Sequence, residues 1–279
     1  MLGSLDNEVI FKKAFTDPIV FEAFVKDILG IEMKVGTIET EKKFTPQIGY
    51  VDFEIDVFAE SEDKRTAVEL QRAQYDYNFD RFMHYLQMLV AEQQKTAKNY
   101  KVQQTVYLIV IMTLPYKFND LTGEAVREEF ILTNFCSKNL KGKNIPIYGH
   151  QMVCLNPNHP ETDTPQAIRD WLDLFYQSIH SPHTPNINLN NAGIKRAADL
   201  IDFTKLTPVQ LREAKEKEQG EIVKSIYMKE ARQEGIKEGE LKRNIEIAEK
   251  LILKGVLNEA IAELTGLNDE EIERLRSKN

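Results

Sequence analysis

The sequence predicts an α/β protein, a mixed sheet held between helices as an α/β/α sandwich, with a helical C-terminal extension. Three observations predict it. Residues 51–71, VDFEIDVFAESEDKRTAVELQ, alternate apolar and polar side chains on both sides of a polar turn, which is the pattern of a β-hairpin. Residues 106–114 form a continuous apolar run rich in β-branched residues, as in a strand buried on both faces. Stretches of helical period lie before the hairpin, between it and the apolar run, and near residue 170, so the strands are flanked by helices at both ends and in the middle.

Taken in order, residues 5–29 carry Val9, Ile10, Phe11, Phe15, Val20, Phe21, Phe24, Val25, Ile28 and Leu29 at near-helical spacing. Asp17-Pro18 divides them into two helices, with Asp17 as the N-cap and Pro18 at the first helical position, and Gly30 ends the second. Residues 34–41 are expected as the first strand and 42–49 as a loop into the hairpin. In the hairpin Val51, Phe53, Ile55, Val57 and Ala59 share one face, with Asp52, Glu54, Asp56 and Glu60 on the other. After the turn at 61–64, Val68 and Leu70 point inward and Glu69 and Gln71 lie opposite them. A helix follows Ala73, with Phe79, Phe82, Met83, Leu86, Leu89 and Val90 forming its apolar stripe. Strands are expected at 106–113, 128–135 and 145–155, and a helix carrying Trp171 at 165–178 closes a domain of residues 1–182.

The Pro- and Asn-rich segment SPHTPNINLNN then marks a boundary. Residues 183–243 read as linker and charged helical arm, and 244–279 as a small module of short helices at 245–253, 258–264 and 269–275. Gly255 and Gly266 separate these helices, and Asn258 and Asn268 are the expected caps. The last two helices scan like a helix-turn-helix, but the second opens with Asp269-Glu270-Glu271, which would meet phosphates with like charge. A homo-oligomer or protein contact through the C-terminal helices is the preferred role. His180 and His183 have no nearby carboxylate or cysteine to complete a metal site, and His159 is set aside with them.

Composition narrows the classes. The chain has 279 residues, 42% of them hydrophobic, enough for one sizeable core and a smaller appendage. A net charge of −8 gives no global attraction to nucleic acid, although a local basic groove built from Lys12, Lys13, Lys95, Lys98, Lys101, Lys138, Lys141 and Lys143 is compatible with it. The longest apolar run is too short to cross a bilayer, so no membrane partner is expected. The N-terminus lacks the pattern of a signal peptide, and Cys136 and Cys154 have no metal-ligand spacing. A cytoplasmic protein is expected.

The hairpin also concentrates the chemistry. A turn centred between Glu62 and Asp63 sets Asp56 directly opposite Glu69, with Cβ atoms about 4.5–5.5 Å apart. Facing carboxylates repel unless something compensates, and a divalent cation does so. Mg²⁺ is held by one or two carboxylates and takes further contacts from water and substrate phosphate. The alternative is a solvated polar strand face.

Asp56, followed thirteen residues later by Glu69-Leu70-Gln71, resembles the core of the PD-(D/E)XK nuclease superfamily, with Gln in place of Lys. The early FKKAF, the ELQ, the helix with Arg81, Tyr85 and Gln93, then Tyr100 and the strand VYLIVIM are similar, in the same order, to the PD-(D/E)XK nuclease family transposases. The resemblance covers about the first 180 residues. It implies a restriction-endonuclease-like sandwich and metal-dependent endonuclease action on DNA, associated with recombination. It also implies Mg²⁺ (or Mn²⁺) on Asp56, Glu69 and the Leu70 carbonyl. In that reading Gln71 is a catalytic residue that positions water by hydrogen bonds, because an amide cannot usefully accept a proton. Glu8, Asp52, Arg81, Tyr85 and Gln93 are accessory candidates. The rival expectation is a nuclease fold kept as a weakly active or inactive binding module that acts through its C-terminal region.

Overall fold

The computed structural model describes residues 1–44, 52–72, 78–94, 102–113, 138–145, 149–158 and 163–277. The chain divides into two compact units, Met1–Lys217 and Glu218–Asn279. Among the described residues no helix is long and apolar enough to cross a membrane.

The first unit opens with α1 (Glu8–Phe15) and α2 (Pro18–Leu29). Their division follows the sequence: the Asp17 carboxylate accepts from the Ile19 and Val20 amides, and Gly30 ends α2 with φ 69°. The strands are β1 (Ile38–Phe44), β2 (Phe53–Glu60), β3 (Lys64–Gln71), β4 (Thr105–Met112) and β5 (Gln151–Leu155). β1 begins four residues later than expected, because the Val35 amide bonds to the Glu22 carboxylate instead of a neighbouring strand. β5 is likewise shorter than the 145–155 anticipated. The strand expected at 128–135 lies outside the described residues.

The five strands form one sheet in sequence order, β1-β2-β3-β4-β5. The first two pairings are antiparallel, and β3–β4 and β4–β5 are parallel. Helix α3 (Asn78–Ala91) makes the crossover from β3 to β4, and its Phe82, Leu86 and Leu89 cover one face of the sheet. The other face packs against α1, α2, α4 (Gln166–His180) and α5 (Ala192–Leu200), where Phe11, Phe15, Phe24, Phe175 and Trp171 form an aromatic cluster. This mixed sheet between helical layers is the expected α/β/α sandwich.

Helix α5 falls within the stretch anticipated as the start of a solvated arm, yet it packs closely on α2. At Gly193 an added Cβ would stand 2.4 Å from the Ala23 Cβ and 3.1 Å from the Trp171 ring. Gly193→Ala gains helix propensity but overpacks this contact, so a net loss of about 1–2 kcal/mol is expected, read as a lowered thermal midpoint. A variant as stable as the parent would mean that α5 can shift freely on α2.

Helix α6 (Pro208–Leu253) is continuous, so the short helix expected at 245–253 is its last part. Its first turns belong to the first unit: the Asn7 side-chain amide donates to the Ala214 carbonyl at 2.7 Å, and Lys13 Nζ to Gln210 Oε1 at 3.1 Å. In the second unit the end of α6, α7 (Asn258–Thr265) and α8 (Asp269–Arg276) bury Ala248, Ile252, Ile261, Leu267 and Ile272 together. Gly255 and Gly266 make the two left-handed breaks, with φ 75° and 67°. Asn268 caps α8 in a capping box with Glu271. Asn258 is the first residue of α7 and does not cap it. Its side chain accepts from Arg276 Nε at 2.8 Å and donates to Glu273 at 2.6 Å.

Candidate active site

The β2–β3 hairpin has the register its turn dictates, Val57 opposite Val68 through Glu60 opposite Arg65. Regular pairing stops one step before Asp56 and Glu69, and there the side chains replace the ladder. The Asp56 amide donates to Glu69 Oε1 at 3.2 Å, and the Leu70 amide donates to Asp56 Oδ2 at 2.8 Å. Beyond this point β2 continues against β1 while β3 continues against β4, so the two carboxylates stand in a fork between diverging strands.

The fork comes with a change of face that simple alternation does not anticipate. Val57 and Ala59 pack with α1, α2 and α4, whereas Phe53 and Ile55, of the same parity, pack with α3. The step occurs at Asp56. Across β1 the pairs Thr40–Val57 and Lys42–Ile55 leave Glu41 opposite Asp56, and Glu41 has φ 51°, the one positive value among described non-glycine residues. Both strands therefore take an irregular step at this place without a change of register, and backbone strain of this kind recurs at functional sites. The expected face shared by Val51, Phe53, Ile55, Val57 and Ala59 is thus split at Asp56, and Val51 lies outside the described residues.

Glu69 is 2% exposed. Burial, then the charge of Asp56, push its carboxyl well above the ordinary range, with Arg81 and Lys12 pulling the other way. Burial also raises Asp56, against the hydrogen bond from Leu70 and the charge of Lys12. These are acids that the protein alone does not fully compensate. From α3, Arg81 lies over them: its NH1 donates to Gln71 Oε1 at 3.2 Å, its Nε to the Tyr85 hydroxyl at 2.9 Å, and its NH2 stands 3.8 Å from Glu69 Oε2. The guanidinium also sits 5.2 Å from the Tyr85 ring centroid, which fixes its plane.

Of the residues expected at the site, the fork brings together Asp56, Glu69, Leu70, Gln71, Arg81 and Tyr85. Glu8, at the first position of α1, stands in a ring of cations on the other side: it bonds Lys12, accepts from Lys217 Nζ at 3.0 Å, and lies 3.7 Å from Arg72. Burial alone would raise its carboxyl, but Lys12 and Lys217 hold it below the ordinary value. Asp52 is exposed and precedes the strand. Gln93 does not reach the fork. It lies twelve residues past Arg81 along α3 and the turn that follows, roughly 18 Å by helical rise. It clasps the backbone of Gln104 in both directions, at 2.9 and 3.1 Å. There it steadies the opposite end of the sheet, where Gln104 also holds Arg65 and the Ser61 carbonyl. Tyr100 lies outside the described residues.

Four further charged groups stand at the site: Lys12, which the sequence offered only as a lysine of a basic groove, and Glu41, Arg72 and Lys217, which it did not single out. Lys12 bonds Glu8 one turn back on α1 and reaches Glu41 Oε1 at 2.7 Å. Only the Glu8–Lys12 spacing of four residues was visible as a local signal. Cys154 is buried in β5, which pushes its thiol up to about 12, so it is chemically quiet.

A mixed sheet that forks at a pair of opposed, buried carboxylates, with an arginine from the crossover helix lying over them, is the architecture of restriction-endonuclease-like proteins. The sequence matches the family of PD-(D/E)XK nuclease family transposases over residues 9–231, and the chain belongs to that family. A comparison with curated proteins gives no match. Family membership points to a nuclease-like function with DNA as the substrate class.

Proposed function

We propose that this chain is a metal-dependent DNA endonuclease that hydrolyses phosphodiester bonds at the β2–β3 fork. The observation that carries the reading is the pair Asp56 and Glu69, two carboxylates forced together across a hairpin, one of them almost fully buried. Such a pair is costly without a cation.

The donors fit Mg²⁺ or Mn²⁺, which take hard oxygen ligands and need few from the protein. Asp56 Oδ2 and Glu69 Oε1 are engaged by backbone amides, which orient both groups and leave Asp56 Oδ1 and Glu69 Oε2 for an ion. A strand residue presents its N–H and C=O to the same neighbour, so the Leu70 amide that bonds Asp56 implies that the Leu70 carbonyl faces the fork as well. Asp56, Glu69 and Leu70 would hold the ion. When bound it supplies Lewis acidity, polarising the phosphate and making water a better nucleophile near neutral pH.

The remaining roles fall to the chain itself. Gln71 is held by Arg81 through its carbonyl oxygen, and its amide is of a type that can position water or phosphate by hydrogen bonds but cannot usefully accept a proton. Arg81, braced by Tyr85, presents a planar donor fork suited to phosphate oxygens. Arg81→Lys keeps the charge but loses the fork and the brace, and a fall in cleavage rate of about 10- to 100-fold is expected. Rates equal to the parent would remove Arg81 from the site.

The C-terminal helices are proposed to mediate self-association or a protein contact, supported by Ile222, Val223, Ile226 and Tyr227 exposed on α6. The activity is tested with supercoiled plasmid and purified protein in Mg²⁺, Mn²⁺ or EDTA. Metal-dependent appearance of open-circular or linear product is expected. A protein inert with both ions would favour the rival role as a binding module.

A further inference from the structure

Lys12 is the least expected group at the fork. It sits mid-helix on α1 with its side chain 14% exposed, and it bridges Glu8 and Glu41, two acids far apart in sequence. Glu41 is the residue across β1 from Asp56, and it adopts a left-handed conformation that a glutamate enters only at a cost. The charge of Lys12 therefore stands beside Asp56 and acts on both Asp56 and Glu69. Gln71, by contrast, carries no charge, and its oxygen is already given to Arg81.

A cation wedged among four acids needs a reason. A salt bridge to Glu8 alone would satisfy α1, since that spacing pairs on any exposed helix and contributes little. The second acid, which is the strained Glu41 across from Asp56, together with the partial burial, instead holds the ammonium on the Asp56 side of the sheet edge. Glu8 is itself shared with Lys217 and Arg72, so it can part from Lys12 without being left unpaired.

Resting on the nuclease reading above, we propose that Lys12 is the cation that meets the scissile phosphate, supplying from α1 the positive charge that position 71 lacks. Without DNA, Glu8 and Glu41 occupy its donors. With DNA, a phosphate oxygen takes the place of Glu8, whose remaining cations keep it paired. Lys12 then stabilises charge that builds on the phosphate as the water oxygen, its proton released to solvent, bonds to phosphorus and the ester oxygen departs with a proton taken from solvent.

The test compares Lys12→Gln with Lys12→Cys before and after alkylation by 2-bromoethylamine, which rebuilds an ammonium of nearly lysine length. Parent protein treated in parallel controls for reaction elsewhere. Lys12→Gln is expected to cut kcat/KM on plasmid by about 100-fold or more, most of it in kcat, as for a donor that meets the phosphate on binding and more strongly in the transition state. The salt slope of binding to a short duplex in EDTA should flatten by about 0.9, one phosphate contact. Alkylated Lys12→Cys should regain cleavage and slope together, which a merely structural bridge to Glu8 and Glu41 would not require. Should Lys12→Gln cut like the parent while Asp56→Asn is inert, the Lys12 proposal fails and the fork reading survives. An unchanged slope, or no recovery on alkylation of a variant that melts like the parent, overturns it too. A parent protein inert with every ion overturns both.

Discussion

Asp56→Asn is expected to lower plasmid cleavage by about 1000-fold or more while leaving the fold intact. The substitution is nearly isosteric, and its side-chain oxygen still accepts from the Leu70 amide, so the step in β2 is preserved. What disappears is one of the two negative charges that the proposed divalent cation would need. Metal-assisted stabilisation amounts to several kcal/mol, and each 1.4 kcal/mol is about tenfold in rate. Activity should not return with excess Mg²⁺. Circular dichroism should match the parent and the thermal midpoint should be no lower, since the repulsion between the two acids is relieved, which separates a lost site from a lost fold. A variant that cleaves within tenfold of the parent would place the chemistry elsewhere.

Glu69→Gln is expected to abolish cleavage and at the same time stabilise the metal-free protein. The buried Glu69 carboxyl is raised above its unfolded value, so over a window that begins near the ordinary carboxylate value of 4.5 and extends upward the folded chain keeps a proton that the unfolded chain has released. In that window stability falls as pH rises, and above it the full penalty for a buried, incompletely compensated charge remains. Glutamine carries no such penalty and can still accept from the Asp56 amide through its own oxygen. The variant and the parent should melt together near pH 4 and diverge as pH increases, with the variant more stable by about 1–2 kcal/mol at pH 8. Mn²⁺ should narrow the gap by stabilising only the parent. Thermal melts at several pH values, with and without the ion, decide this. A gap that shrinks as pH rises would reverse the sign and contradict the burial argument.

What could be read from the sequence follows from the range of the interactions involved. The hairpin register was legible because the polar turn at 61–64 and period-two alternation are local, and the register set Asp56 against Glu69. The Asp17 and Asn268 caps and the glycine breaks were legible for the same reason. The change of face at Asp56 was not, because it arises where a side chain takes over a backbone partner, and alternation alone cannot signal that. Lys12, Glu41 and Lys217 come from three separate elements, and Arg72 from the position just past β3, and only the fold assembles them. Gln93 shows the converse error: a polar residue off the apolar stripe of α3 suggested the site, but it serves the opposite end of the sheet. Residues 192–217 read as a solvated arm because their charge is high, yet α5 buries Ile194 and Ala197 against the core.

A divalent-cation site at the fork between β2 and β3, as proposed, should be visible to calorimetric titration of Mn²⁺ into the metal-free protein. Saturable binding by the parent is expected, tightening as pH rises because the ion competes with protons on Asp56 and Glu69, and lost in both Asp56→Asn and Glu69→Gln. Binding of equal strength in all three proteins, or none in the parent at ion concentrations that support cleavage, would contradict it.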